Sequence, residues 1–152
     1  MRGVEQWELV ARECIRDLVA RYNASGDAGR FDELMSLFAE DAVLELHGSR
    51  SYRGRDEIRS LFIGAAASEP GEAPVRIQHH ASALQIDCES ESRARGRCYF
   101  LVLTPAGADH WGRYVDAYRR QGDAWLFEHR CVRVDGVTPG GWGEKRLARS
   151  GG

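Results

Sequence analysis

The chain has 152 residues, of which 43% are hydrophobic and 29% are charged, a composition typical of one soluble globular domain. Its 21 basic and 23 acidic residues give a net charge of −2, which argues against a surface built to bind nucleic acid. No apolar run approaches the ~20 residues of a membrane span, and residues 1–11 lack the apolar core of a signal peptide, so we expect a cytoplasmic protein that binds no membrane.

Helical periodicity dominates the first part of the chain. Apolar residues spaced three and four apart predict a first helix over residues 5–25, which Gly26 is expected to end. A small hairpin flanked by two shorter helices follows, with a helix over 30–38, a strand over 42–46, a returning strand over 51–53 and a helix over 55–67.

The pattern then changes to strands, which are predicted over 76–87, 93–104, 110–120 and 124–134. The turns between them are too short for crossovers, so these strands are expected to run antiparallel. Helices followed by such strands give an α+β fold, in which a curved sheet with helices on its concave face would leave a pocket. Six Gly and one Pro follow position 135, so we expect one domain over 1–135 and a flexible tail over 136–152, with Trp142 as a candidate docking anchor.

Several short strings occur in the order found in a known superfamily. They are Tyr22–Asp27, Gly29–Leu34, Leu37–Val43, Tyr52–Ile58, Gly112–Asp116 and Gly122–Trp125. Together they resemble the SnoaL-like branch of the nuclear-transport-factor-like superfamily over about residues 5–135. The resemblance implies a cone-shaped, curved, mixed or antiparallel sheet with three N-terminal helices on its concave face around a pocket. It also implies a homo-oligomer, either a trimer or a dimer.

The same resemblance implies a catalytic set. Dehydratase and dehydrochlorinase members of the branch carry an Asp at the end of the first helix and a His on the first long strand. A bile-acid dehydratase pattern adds a Tyr five residues before the Asp. The matching residues here are Asp27, Tyr22 and either His79 or His80. Successive strand residues point to opposite faces, so at most one of the two histidines faces the pocket, and the register of the family favours His79.

These residue types suit proton transfer at carbon. A histidine can take such a proton near neutral pH, because the unperturbed pKa of imidazole is ~6.5. A carboxylate on the other ring nitrogen would fix the tautomer and stabilise the imidazolium, and a tyrosine would donate to a departing hydroxyl or an enolate oxygen. Taken singly, Asp27 would also suit a turn or a helix cap, and Tyr22 would suit a core position.

Four further residues are candidates for substrate binding. Strand alternation places His110 and Tyr114 on one face, which we predict to be a pocket wall; a solvated face or an oligomer contact is the alternative. His80 and Arg130 complete the predicted set. No short Cys/His spacing indicates a metal site and no glycine-rich phosphate loop is present, so neither a metal nor a cofactor is expected.

The sequence therefore predicts a cofactor-independent lyase or isomerase of the dehydratase type, acting on a small, mostly apolar cyclic substrate. His79 would be the general base, Asp27 its orienting partner, and Tyr22 the acid or hydrogen-bond donor. One alternative is a binding or accessory protein that uses the same cavity without turnover. A polyketide cyclase or an epoxide hydrolase is a further alternative.

Overall fold

A computed structural model, which describes residues 3–150, shows the predicted mixture of helices and strands. The elements are α1 (Gln6–Asp27), α2 (Phe31–Ser36), β1 (Phe38–Leu46), β2 (Ser51–Arg53), α3 (Gly54–Ala66), β3 (Gln78–Cys88), β4 (Arg93–Thr104), β5 (Gly107–Gln121), β6 (Ala124–Val137) and α4 (Trp142–Ser150). No helix among the described residues combines the length and the apolar character that crossing a membrane requires.

The first helix does not end at Gly26 as predicted but continues to Asp27. Two residues later, Gly29 turns the chain away from the helix, with a φ of +69° in the left-handed region that glycine adopts without strain. The N–H of Arg30 donates to the carbonyl of Ser25 at 2.9 Å, and the N–H of Gly29 donates to that of Gly26 at 3.2 Å. These are the two hydrogen bonds of a Schellman motif, and they hold Asp27 in the last turn of the helix.

One curved, unclosed sheet carries all six strands, in the order β2-β1-β6-β5-β4-β3. The four long strands form the predicted antiparallel series from β3 to β6. Strand β1 pairs antiparallel with β2 and parallel with β6, where Leu44 lies opposite Arg130. The sheet is therefore mixed, and the parallel contact joins the N-terminal elements to the end of the series.

The core lies between α1 and the inner face of the sheet. The apolar part of the buried stripe of α1 consists of Ala11, Ile15, Leu18, Val19 and Tyr22. Val10, although apolar, lies outside this stripe and is 57% exposed. In β4, small and apolar side chains alternate inward while Arg93 and Arg95 point outward and form ion pairs with Glu128 and Glu89.

The C-terminal segment differs from the sequence prediction. The last strand continues to Val137, and the stretch expected to be a flexible tail contains the helix α4. Gly140, with a φ of +75°, turns the chain before the helix. Gly141 and Gly143 make contacts so close that a Cβ atom would not fit. The last two glycines of the predicted tail, at positions 151 and 152, lie outside the described residues.

Candidate active site

A cavity of about 240 Å³ lies between the inner face of the sheet and the helices α1, α3 and α4. Most of its wall is apolar. The aromatic residues that line it are Tyr22, Phe31, Phe62, Phe100, Tyr114 and Trp142. The ionisable groups in the wall include Asp27, His79 and His110. A mostly apolar cavity with a few converging polar groups is the usual form of a small-molecule site.

Asp27 and His79 form a doubly hydrogen-bonded pair in the cavity wall. The ring Nδ1 of His79 lies 2.6 Å from Oδ1 of Asp27, and the backbone N–H of His79 donates to Oδ2 at 2.7 Å. The last turn of α1 supplies the carboxylate, and the start of β3 supplies the histidine. An ionised carboxylate can only accept, so in the neutral ring Nδ1 carries the proton and Nε2 remains basic.

His80 does not contribute to the cavity. It follows His79 on β3, where successive side chains point to opposite faces. The structure leaves His80 exposed, and it is not part of the cavity wall. The structure therefore does not bring His80 together with the other predicted site residues, whereas His79 is the inward-facing histidine, as the register of the family favours.

A second pair of this kind, formed by His110 and Asp109, borders the same cavity. Nδ1 of His110 lies 2.7 Å from Oδ2 of Asp109, and the His110 ring meets the His79 ring edge-to-face with centroids 6.4 Å apart. Burial lowers the pKa of His110, and the neighbouring Asp109 carboxylate only partly offsets this effect. His79 lowers the same pKa further. Burial and the neighbouring His79 thus both favour the neutral form of His110.

Asp109 was not predicted, because strand alternation places it on the face opposite His110. The structure shows why alternation fails here. In the pairing of β4 with β5, His110 lies opposite Val102 and Ala108 lies opposite Leu103, which leaves Asp109 as the extra residue of a β-bulge. The bulge turns Asp109 inward, where only 3% of the residue is exposed.

Tyr22 and Tyr114 lie over a buried ion pair. Arg130 donates two hydrogen bonds of 2.8 Å to Asp116, and its guanidinium carbon lies 4.1 Å from the Tyr22 ring centre and 3.9 Å from that of Tyr114. Burial raises the pKa of both tyrosines, although the Arg130 cation opposes the increase, so both hydroxyls stay protonated.

Arg130, the fourth residue predicted to bind substrate, does not line the cavity. It is fully buried beneath the two tyrosines. Burial alone would lower the pKa of Arg130, but the Asp116 carboxylate outweighs this effect and raises the pKa well above its ordinary value. Arg130 thus supports the tyrosines from the side opposite the cavity.

One cluster of metal-ligating side chains occurs among the described residues, and it lies outside the cavity. Glu45, His47 and Cys131 bring their ligand atoms within 4.8 Å of one another. Glu45 and Cys131 are opposite each other on β1 and β6, on the outer face of the sheet. Arg133 contacts Cys131, so a cation already occupies this environment. Each of the two histidines that line the cavity is hydrogen-bonded to a carboxylate, His79 to Asp27 and His110 to Asp109.

The fold and the site together define the class of protein. A curved, unclosed six-stranded sheet with helices on one side, enclosing a pocket, is the architecture of nuclear-transport-factor-like proteins. The family profile of the SnoaL-like domain matches residues 7–131. The chain therefore belongs to the SnoaL-like domain family.

Solved structures resemble the chain over most of its length. A putative scytalone dehydratase from Novosphingobium aromaticivorans is 25% identical, with 87% of this chain and 89% of that chain covered and a TM-score of 0.76. A protein of unknown function from Mycobacterium tuberculosis is 24% identical, with 90% and 78% covered and a TM-score of 0.77. A hexachlorocyclohexane dehydrochlorinase from Novosphingobium barchaimii is 22% identical, with 88% and 92% covered and a TM-score of 0.73. A comparison with curated protein sequences finds no match.

Proposed function

We propose that the protein is a cofactor-independent lyase or isomerase of the dehydratase type, acting on a small, mostly apolar cyclic substrate. The observation that carries the proposal is the Asp27–His79 pair in the wall of an apolar cavity, with both carboxylate oxygens bonded to the same histidine. The names of two similar structures, a putative dehydratase and a dehydrochlorinase, describe eliminations and support this assignment.

The proposed elimination starts at the carbon next to a carbonyl group. Nε2 of His79 takes a proton from this carbon, and the electron pair of the C–H bond forms the new C=C bond. The C–O bond to the hydroxyl group on the next carbon breaks. The imidazolium returns its proton to the departing oxygen, so the products are an unsaturated ketone and water, and His79 is neutral again.

The neighbouring groups have supporting roles in this reaction. The Asp27 carboxylate stabilises the imidazolium while the proton is on His79. The Tyr22 hydroxyl, which burial keeps protonated, donates a hydrogen bond to the substrate oxygen as negative charge develops. If the substrate has no leaving group, the same proton transfer leads to isomerisation.

The test uses 3-hydroxycyclohexanone, whose dehydration to cyclohexenone is followed by the absorbance of the product. Deuterium exchange at the carbon next to the carbonyl of 2-tetralone, in D₂O, detects proton abstraction without elimination. We expect His79→Gln to lower either rate by roughly 10²–10⁴-fold, the usual contribution of a general base. His80→Gln is the matched control, because this neighbouring histidine is exposed outside the cavity, and it should leave the rates unchanged.

The same measurements separate catalysis from binding alone. A binding or accessory protein would bind 2-tetralone but would not accelerate exchange or dehydration above the buffer rate. Equal rates for His79→Gln and the wild type would also overturn the proposal.

A further inference from the structure

The N-terminal end of α4 is pressed against the second histidine–aspartate pair. The backbone N–H of Gly143 donates to Oδ2 of Asp109 at 2.8 Å, and the same oxygen lies 2.7 Å from Nδ1 of His110. A Cβ atom at position 143 would lie only 2.6 Å from each of these two atoms, Oδ2 and Nδ1. Position 143 therefore has to be glycine for the helix to approach this closely, and one carboxylate oxygen joins the helix to the histidine.

A second attachment fixes the middle of α4. The Arg146 guanidinium donates to the carbonyls of Gly64, at 3.2 Å, and Ala67, at 2.7 Å, and also to that of Ala65. Gly64 and Ala65 lie in the last turn of α3 and Ala67 follows it, where backbone carbonyls lack partners within the helix. Two attachments, one to β5 and one to α3, therefore hold α4 across the cavity.

The fixed helix places the Trp142 indole in the cavity wall. The indole stacks on the His110 ring with centroids 6.0 Å apart and planes inclined by 22°. Phe100 and Tyr114 stack on each other in the same wall, at 4.7 Å and 22°. Flat rings thus form two parts of the lining, and offset or edge-to-face contacts of such rings favour an aromatic or conjugated ligand over a puckered, saturated one.

We propose that Trp142 is a specificity-determining residue of this site, which selects flat unsaturated rings, and that Asp109 is the positioning residue that holds Trp142 and His110 in place. The relevance of this selection to a substrate rests on the proposed function, and the selection names the substrate class. The preference in binding itself does not require turnover.

Two ligands with one carbon skeleton test the selection. The flat ligand is 2-naphthol, the puckered ligand is decahydro-2-naphthol, and isothermal titration calorimetry measures both dissociation constants. We expect the wild type to prefer 2-naphthol. Trp142→Leu should weaken 2-naphthol by about three- to tenfold, the range that one aromatic contact contributes, and should change decahydro-2-naphthol less than twofold. Equal effects on the two ligands, or no effect on either, would overturn the assignment of Trp142.

The positioning role of Asp109 is tested by the ratio of the two dissociation constants. Asp109→Leu removes the acceptor of both hydrogen bonds and should lower the preference for 2-naphthol as much as Trp142→Leu does. Asp109→Asn keeps an oxygen acceptor and should restore at least half of the preference. A residue needed only for stability would lower both affinities together and leave their ratio unchanged, and that result would overturn the positioning role.

A glycine pair provides a variant that alters no side chain of the site. Gly143→Ala should displace α4 and reduce the ratio as Asp109→Leu does. Gly3→Ala is its control, because a Cβ atom there meets nothing within 4 Å and Gly3 does not line the cavity. Neither ligand can eliminate water through a carbonyl group, so these titrations do not depend on catalysis. If the wild type turns over substrate but does not prefer 2-naphthol, the proposed role of Trp142 has failed. If it prefers 2-naphthol but shows no turnover, the proposed function has failed.

Discussion

Replacing Asp27 by Asn tests how the carboxylate controls the chemistry of His79. In the wild type, Oδ2 accepts the backbone N–H of His79 at 2.7 Å and Oδ1 lies 2.6 Å from its Nδ1. The amide of the variant has only one oxygen, and the backbone N–H, which can only donate, requires it. The amide NH₂ group then faces Nδ1, which has to accept. The ring proton moves to Nε2, the nitrogen that the proposed reaction needs to be unprotonated.

The expected loss follows from these two changes. A hydrogen bond to a charged group contributes about 1.5–3 kcal/mol, which corresponds to about 10- to 150-fold in rate. The wrong tautomer also withholds the general base, which contributes ~10²–10⁴-fold. Because the two losses overlap, we expect kcat to fall by roughly 10²–10⁴-fold, while KM changes little since the amide fills the same space.

The dehydration assay with 3-hydroxycyclohexanone measures the rate, and ¹⁵N NMR of the His79 ring reports the tautomer. Asp17→Asn is the matched control, because Asp17 is an exposed carboxylate on the same helix; it should retain wild-type activity. A value of kcat for Asp27→Asn within fivefold of the wild type would refute the reasoning. A His79 ring that is still protonated at Nδ1 in the variant would refute it as well.

Three further predictions concern buried ionisable groups. Arg130→Met leaves the Asp116 carboxylate buried without its partner and should lower the free energy of unfolding in urea by about 3–5 kcal/mol; a loss below about 1 kcal/mol would contradict the structure. Burial lowers the pKa of His110, so the unfolded state binds a proton more readily than the folded state does. The contribution of this histidine to the free energy of unfolding is therefore complete above pH ~6.5 and decreases as the pH falls below that value. Between pH 7.5 and 5.5, the free energy of unfolding of His110→Gln should therefore decrease less than that of the wild type. Equal decreases would contradict the assignment of this pH dependence to His110. Burial raises the pKa of Cys98 to about 11, so iodoacetamide at pH 8 should modify this thiol in urea but not in the folded protein, as read by mass spectrometry.

The sequence predicts most of the elements because their signals are local. Strand β4 begins at Arg93 and ends at Thr104 as predicted, since alternating side chains and clear turns bound it. The end of α1 was misplaced because Gly26 and Gly29 are both plausible stops, and only the backbone shows which of them is left-handed. The parallel pairing of β1 with β6 joins distant parts of the chain, and no local pattern signals it.

The family resemblance predicted which two residues of the site meet. Residues whose orientation depends on irregular backbone were not predicted. Asp27 and His79 meet as the resemblance implies. Asp109 escaped prediction because a β-bulge interrupts the alternation from which side-chain direction was inferred. Trp142 was noted as an anchor, but glycine content was interpreted as flexibility. At Gly143 the absence of a side chain instead permits close packing.

The parallel contact between β1 and β6 has a consequence for how the chain folds. The series from β3 to β6 contains only contacts between strands that follow one another, so it can form early. β1 has only the three-residue β2 as a neighbour until β6 has been synthesised. On the ribosome, the N-terminal third of the chain must therefore wait for the C-terminal third. Asp27 belongs to the N-terminal elements, whereas His79 belongs to β3, the first strand of the antiparallel series. The Asp27–His79 contact should therefore be among the last to form during refolding.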